Sequence, residues 1–265
     1  MSELEIISWN VNSVVARAEN IISFVEKYKP AVLLLQEIKR VEEQFPYEMF
    51  RDMGYNIEVL GQKAYNGVAI MSRNVLEDVL CNPFVDDGEA RYIEASTYTD
   101  NNECVRIASV YVPNGREVKS DYFKKKIYFL EKLSEHLRGR EYDRFVIGGD
   151  FNVAPDIADV YDPDTLSKSV GFHIEERDAL RQLINDNNML DIWRIMDPNA
   201  VGEYSWWDYR TNGFAHNRGM RIDNILVSPY VADMINSARI YRDVRGWKRP
   251  SDHVPISIVI GEKRG

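Results

Sequence analysis

Apolar residues fall along this chain in two alternating kinds of run. Residues 4–9, 31–35 and 144–147 are short and nearly continuous, which suits strands covered on both faces. After the first of them, Val14, Ala18, Ile21, Ile22 and Val25 recur at helical spacing. That predicts a helix over 14–28, capped by Ser13 and ended by Lys29-Pro30. A long amphipathic helix is predicted over 119–138, with Lys124-Lys125-Lys126 on a solvated face and Gly139 as its stop. Shorter helices are read over 46–53, closed by Gly54, and over 175–187, with another turn or two at 190–195. Further strands are read at 56–60, 68–72, 91–97, 104–112, 204–207, 221–227, 235–242 and 254–260. Asn66-Gly67 and Asp100-Asn101-Asn102 mark turns between them. No linker, repeat or low-complexity tract interrupts the order, so one domain is expected. Hairpins mixed with two strand–helix–strand units predict an α+β fold, two sheets with helices outside.

Composition changes this picture little. The chain has 265 residues, 45% hydrophobic and 28% charged, ordinary for a globular protein long enough for a substantial core. Cys81 and Cys104 are too few for a disulfide scaffold or a zinc ribbon and fit a reducing compartment. The start, Met-Ser-Glu-Leu-Glu-Ile-Ile, lacks the character of a signal peptide, and no window reaches the roughly 20 apolar residues of a membrane span. A cytoplasmic, non-secreted monomer with no membrane partner is therefore expected. The net charge of −9 weighs against polyanion binding through bulk charge but allows a local basic patch.

The candidate chemistry sits at strand ends. Phe145-Val-Ile-Gly-Gly-Asp-Phe-Asn152 reads as a buried strand that stops at two glycines and then presents Asp150 and Asn152 to one place. Such a carboxylate binds a cation or moves a proton, or else serves an Asx-turn. Asn10, Glu37, Tyr111, Asp223 and His253 lie at or near other strand ends, where a rigid scaffold places reactive groups. If these ends converge, the oxygen-rich set suits a hard cation such as Mg²⁺ or Mn²⁺. Asp223 interrupts an apolar run and needs a partner, either His253 or backbone amides. Residues 205–222 mix Trp206, Trp207, Tyr209 and Phe214 with Arg210, Arg218 and Arg221. Stacking faces beside arginines suit nucleic acid, unless the aromatics pack in the core. His173, before a helix start, reads as a phosphate contact or as a helix cap.

Taken together, the chain resembles the exonuclease III family of apurinic/apyrimidinic (AP) endonucleases over essentially its whole length. The matching segments are Ser8-Trp-Asn-Val-Asn12, Leu35-Gln-Glu37, Gly67-Val-Ala69, Tyr111-Val-Pro-Asn114, Gly149-Asp-Phe-Asn-Val153, Ser205-Trp-Trp-Asp-Tyr-Arg210, Arg218-Gly-Met-Arg-Ile-Asp223 and Pro250-Ser-Asp-His253. The Glu, the Gly-Asp-x-Asn and the final Ser-Asp-His are shared with a wider superfamily that includes deoxyribonuclease I and sphingomyelinases. The Trp-Trp-Asp-Tyr-Arg and Arg-Gly-x-Arg-Ile-Asp segments narrow the match to the DNA-repair branch.

The resemblance implies a four-layered α/β/β/α sandwich. It also implies a Mg²⁺-dependent phosphodiesterase, with Mn²⁺ able to substitute. Its partner would be double-stranded DNA with abasic sites or with blocked or recessed 3′ ends. On that resemblance the metal would be held by Asn10, Glu37, Asp150, Asn152, Asp252 and His253, with Glu37 the principal ligand. Asp150 would orient or deprotonate water, Asn152 would hold a phosphate oxygen, and Tyr111 would donate to the phosphate or leaving group. His253, held by Asp223, would stabilise charge. Trp206, Met220 and Ile222 would line a pocket for a flipped abasic sugar, with Asn114, Arg221 and His173 as further DNA contacts. The competing reading is a phosphodiesterase of the same superfamily acting on a lipid or small phosphate ester, which the acidic charge fits slightly better.

Overall fold

Two six-stranded sheets pack face to face in this computed structural model, which describes residues 3–99, 101–139 and 143–261. In chain order the strands are β1 (Leu4–Asn10), β2 (Val32–Gln36), β3 (Asn56–Leu60), β4 (Val68–Ser72), β5 (Glu77–Cys81), β6 (Tyr92–Tyr98), β7 (Cys104–Tyr111), β8 (Phe145–Asp150), β9 (Leu190–Asp191), β10 (Asp223–Val227), β11 (Ile235–Ile240) and β12 (Ile256–Ile260). The helices are α1 (Ala18–Tyr28), α2 (Tyr47–Arg51), α3 (Asp121–Leu137), α4 (Pro163–Leu166), α5 (Ile174–Asp186), α6 (Ile192–Met196) and α7 (Pro229–Ala232). One sheet runs β11-β12-β1-β2-β4-β3 and the other β5-β6-β7-β8-β10-β9. Both follow one plan. A central parallel pair is joined through a helix, β1–α1–β2 or β7–α3–β8, and every other pairing is antiparallel.

Alternation along the strands makes the layers. Ile6, Leu34, Ile70, Ile107, Val146 and Ile225 point between the sheets. Their neighbours Ile7, Leu33 and Leu35 point outward onto Ile21, Phe24 and Val25 of α1 and Phe50 of α2. Ala108, Ile147 and Leu226 point outward onto Leu130 and Leu133 of α3 and Leu180 and Leu183 of α5. Both faces of each central strand are buried, which is why these strands read as continuous apolar runs. Each such Leu or Ile side chain contributes roughly 1.5–3 kcal/mol by leaving water. The result is the expected four-layered α/β/β/α sandwich.

The intersheet positions turn polar at one end. Along β1 they become Ser8 and Asn10, along β2 Gln36, along β7 Ser109 and Tyr111, and along β8 Gly148 and Asp150. Register then aligns Tyr111 with Asp150 and Asp150 with Asp223 on three adjacent strands. Gln36 crosses between sheets, its Nε2 donating to Ser109 Oγ at 2.9 Å, and Ser109 Oγ donates to Leu35 O at 3.0 Å. Gly148 lets the sheets come close, since a Cβ there would stand 2.9 Å from Leu34 Cδ1 and 3.0 Å from Ser8 Cβ.

Several local expectations are revised. β8 runs through both glycines to Asp150 rather than stopping before them. Helix α1 starts at Ala18, because the chain first turns through left-handed conformations at Asn12 (φ 47°) and Ser13 (φ 95°). Residues 204–207 form isolated bridges, Trp206 with Met220 and with His253, instead of a strand. Asn66-Gly67 adopts positive φ at both residues but ends a longer loop over 61–67. Asp100, in another predicted turn, lies outside the described residues. β5 was not foreseen, being polar and largely exposed. Residues 190–195 hold the short β9 and the start of α6. Lys126, placed on a solvated face, is 0% exposed, because α5 covers that side of α3.

Candidate active site

The polar end of the intersheet layer gathers acidic groups from both sheets. A carboxylate oxygen each from Glu37 and Asp150 and a ring nitrogen of His253 lie within 4.8 Å of one another. Asn10 joins the first two: its Nδ2 donates to Glu37 Oε1 at 2.8 Å and to Asp150 Oδ2 at 2.9 Å. Its Oδ1 accepts from the Asn12 amide at 3.0 Å, which fixes the orientation of the side chain. Asn10 therefore braces the two carboxylates. Lys39 Nζ meets the other Glu37 oxygen, Oε2, at 2.8 Å and Asn12 Oδ1 at 2.6 Å.

His253 is held by partners on two strands, β8 and β10, and by Ser251. Its Nδ1 lies 2.8 Å from Asp223 Oδ2, and its Nε2 lies 3.6 Å from Asp150 Oδ2. Ser205 Oγ donates to Asp223 Oδ2 at 2.6 Å and accepts from the Ile222 and Asp223 amides at 3.2 and 3.1 Å. Ser251 Oγ accepts from the His253 amide at 3.2 Å and donates to Asn10 O at 2.8 Å. Burial alone would lower the imidazole's pKa, but the Asp223 and Asp150 carboxylates outweigh it and push it up to about 10. The raised value favours the imidazolium at neutral pH, with Nε2 facing Asp150. Burial, with Asp223 and Glu37 adding repulsion against the pull of His253, pushes Asp150 up to about 7. Tyr111 is raised well above its ordinary value, first by burial and then by Glu37 and Asp150, so its phenol stays a donor.

These groups form one side of a pocket of about 190 Å³, with Val170, Gly171, Trp206, Met220 and Ile222 on the other. That is below the roughly 300–1,000 Å³ of sites for drug-sized ligands and suits a fragment the size of one sugar. Asn114 and Asn152 line it together: Asn114 Nδ2 donates to Asn152 Oδ1 at 3.0 Å, and Asn152 Nδ2 donates to Val112 O at 2.9 Å. Each amide keeps a second N–H for a substrate oxygen. The Asn152 side chain is thus oriented by Asn114 and Val112. Asp252 is also taken: its oxygens accept from Asn12 Nδ2 at 2.9 Å and Trp206 Nε1 at 3.1 Å. Burial pushes its pKa up, but His253, Asn12 and Trp206 more than offset this and hold it below the usual carboxylate range. Glu37 and Asp150 offer carboxylate oxygens beside His253, a donor set that fits a hard divalent cation.

Two predicted contacts lie elsewhere. Arg221 is 1% exposed, with its guanidinium bonded to Asp159, Asp191 and Asn224. It ties the loop containing Asp159 to β9 and holds the neighbouring pocket residues Met220 and Ile222 from behind. His173 is the N-cap of α5: its Nδ1 accepts from the Glu175 amide at 3.3 Å, and its ring stands edge-on to Phe123 at 5.5 Å. The helix-cap alternative describes it. Of the aromatic loop, Trp207 is core and Trp206 is pocket wall.

A family model described as "Endonuclease/Exonuclease/phosphatase family" matches residues 7–253. The chain belongs to this family. Among its relatives is the exodeoxyribonuclease III of Haemophilus influenzae, 35% identical over 96% of this chain and 98% of that one. The solved 3′-5′ exonuclease NExo of Neisseria meningitidis superposes with a TM-score of 0.92 at 35% identity, covering 97% of this chain and 100% of that one. An AP endonuclease from Archaeoglobus fulgidus superposes with a TM-score of 0.90 at 32% identity, covering 97% and 99%. In this family member a larger cavity, about 380 Å³ lined by Glu3, Lys29, Arg73 and Thr99, lies at the other end of the strands and contains none of the site residues.

Proposed function

We propose that this protein is a Mg²⁺-dependent DNA-repair phosphodiesterase, one catalytic domain acting as a monomer. It incises double-stranded DNA on the 5′ side of abasic sites and also acts at blocked or recessed 3′ ends as a 3′-phosphodiesterase and 3′→5′ exonuclease. The observation that carries this reading is the joining of a carboxylate pair and a buried imidazolium to a small apolar-walled pocket. The carboxylates and imidazolium suit phosphodiester cleavage, and a pocket of that size admits a sugar that has lost its base. The relatives support both activities, since one is named an AP endonuclease and another a 3′-5′ exonuclease.

The residues divide the work by charge. Glu37 and Asp150 would hold the divalent ion, which when bound would supply a Lewis acid for a phosphoryl oxygen. Asp150, a buried carboxylate beside His253, also takes a proton from the attacking water as the new phosphorus–oxygen bond forms. The His253 imidazolium neutralises charge on a non-bridging oxygen, and Asp223 keeps it protonated and aimed. Asn114 and Asn152 donate to the phosphate, and Tyr111 offers its proton to the leaving oxygen as the old bond breaks. Met220, Ile222 and Trp206 accept the sugar and exclude water.

The test is a labelled duplex with one central abasic-site analogue, incubated with Mg²⁺ or with chelator, beside an intact duplex and a 3′-recessed duplex. Mg²⁺-dependent incision immediately 5′ of the abasic position, with the intact strand spared, is expected. Cutting only from the recessed end would restrict the reading to 3′-end processing. No cutting of any strand, with Mn²⁺ also tried, would reject DNA as the substrate in favour of a small phosphate ester.

A further inference from the structure

Lys126 has no exposed surface, although it stands on α3 beside the solvent-facing Lys124 and the partly exposed Lys125. An ammonium has three N–H bonds, and all three find acceptors. They go to Glu176 Oε1 on α5, to the Asn152 carbonyl at 2.7 Å and to the Asn114 carbonyl at 3.2 Å. Glu176 is equally buried, and its other oxygen accepts from the Gly171 amide at 2.8 Å and the His173 amide at 3.1 Å. Gly115 closes over the pair: a Cβ there would stand 3.1 Å from Lys126 Cδ and 3.7 Å from Glu176 Oε1, and its φ of +88° disfavours any other residue.

A buried ion pair is weak evidence for stability, because apolar residues of similar volume often serve packing as well. Two facing helices such as α3 and α5 need no charge to pack. What an apolar pair could not do is bind backbone groups on three separate loops. Asn114, Asn152 and Gly171 each line the pocket, and none is a neighbour of another in the chain. Burial pulls the Lys126 pKa down, and the Glu176 carboxylate opposes it.

We infer that Lys126 and Glu176 are positioning residues for phosphodiester cleavage, a buried clamp that sets the three loops and so aims the Asn114 and Asn152 amides across the pocket from Gly171. This inference rests on the reading that the strand is cut in this pocket. Neither residue touches the substrate.

The test compares Lys126→Met and Glu176→Gln with the wild type, and with Lys125→Met, whose charge pairs with Asp87 and Glu89 at the surface. Turnover is measured per folded molecule, at a temperature where circular dichroism shows each variant native. Lys126→Met is expected to lower kcat at least ~10-fold with KM changed by less than ~3-fold, since the amides act chiefly on the transition state. Glu176→Gln, which keeps an acceptor oxygen, loses less, and Lys125→Met stays within ~2-fold. Amide exchange at Gly171 and His173 should quicken in Lys126→Met while that of β1 and β8 is unchanged. A native Lys126→Met protein with wild-type kcat overturns the inference, as does a loss that follows only the fraction unfolded. Should Lys126→Met fail to fold, Glu176→Gln decides by the same criteria. Each ratio is taken on whichever abasic, 3′-recessed or chromogenic phosphodiester substrate the wild type cleaves. Failure of the wild type on abasic DNA thus rejects the proposed substrate, while the ratio still judges the clamp.

Discussion

Asp150 and His253 are opposite halves of one electrostatic arrangement. Each is buried, each has its pKa raised, and the ion pair between them is productive only when the carboxylate is ionised and the ring protonated. Replacing Asp150 by Asn removes one half without changing shape, and replacing His253 by Asn removes the other by substituting a smaller, neutral amide. Turnover should fall by about 10²-fold or more in either variant while the melting temperature shows a folded protein. Near-normal turnover in either would remove that residue from the mechanism. The pH dependence follows from the same pair. Activity should rise as Asp150 loses its proton near about 7 and fall as His253 loses its own near about 10. Bound metal favours the ionised carboxylate, so the acidic limb should move to lower pH as Mg²⁺ is raised. An acidic limb independent of Mg²⁺ would place the proton elsewhere. Most of these residues were legible as strand-end polar groups. The braces were not: Ser205, Ser251, Asn12 and Lys39 act through partners distant in the chain, such as Asp223 for Ser205 and Asp252 for Asn12.

At the scale of elements, period-two alternation made β1, β2, β7 and β8 readable and also held the site's address. The same intersheet positions that carry Ile6 and Leu34 carry Asn10 and Gln36 further along. β5 escaped because an edge strand with exposed residues has no apolar signature. Lys126 escaped for the opposite reason, since a lysine run looks solvated until α5 is known to lie over it. The segment from Ser205 to Ile222 forms no strand, yet it builds the pocket wall by bridging Trp206 to both Met220 and His253. Trp206→Ala should therefore reduce discrimination between abasic and intact strands, measured as the ratio of their kcat/KM values, more than it reduces cleavage of a chromogenic phosphodiester. Unchanged selectivity would remove the wall from the recognition of the sugar.

For the molecule as a whole, the site is a cost that a cation relieves. Asp150 and His253 both have folded pKa values above their ordinary 3.8 and 6.5. Protons are taken up on folding, so their contribution to stability is full below those values and is lost as pH rises through about 7 and about 10. The metal-free protein should accordingly lose stability from this site across neutral pH. Mg²⁺ binds the ionised carboxylates, so its stabilisation should be larger at about pH 8 than at about pH 5.5. Thermal melts with and without Mg²⁺ at the two pH values measure this, and an equal shift at both would contradict the assignment of Asp150 as a ligand. The family fold was legible from the motifs over nearly the whole chain. Which of the acidic and amide groups face a cation was not, because that depends on partners such as Asn12 and Trp206 that only folding brings to Asp252.

The absence of a side chain at Gly148 has a consequence beyond packing. Glu37 follows a strand of one sheet and Asp150 ends a strand of the other, so the distance between the two carboxylates depends on the spacing of the sheets. A methyl group at position 148 would press on Leu34 and Ser8 and act as a wedge between the layers. Gly148→Ala should then weaken Mg²⁺ binding, read by calorimetric titration, although it alters no ligand and leaves the outer helices in place. Affinity for the ion becomes a gauge of interlayer distance, and core residues far from any phosphate become determinants of metal loading.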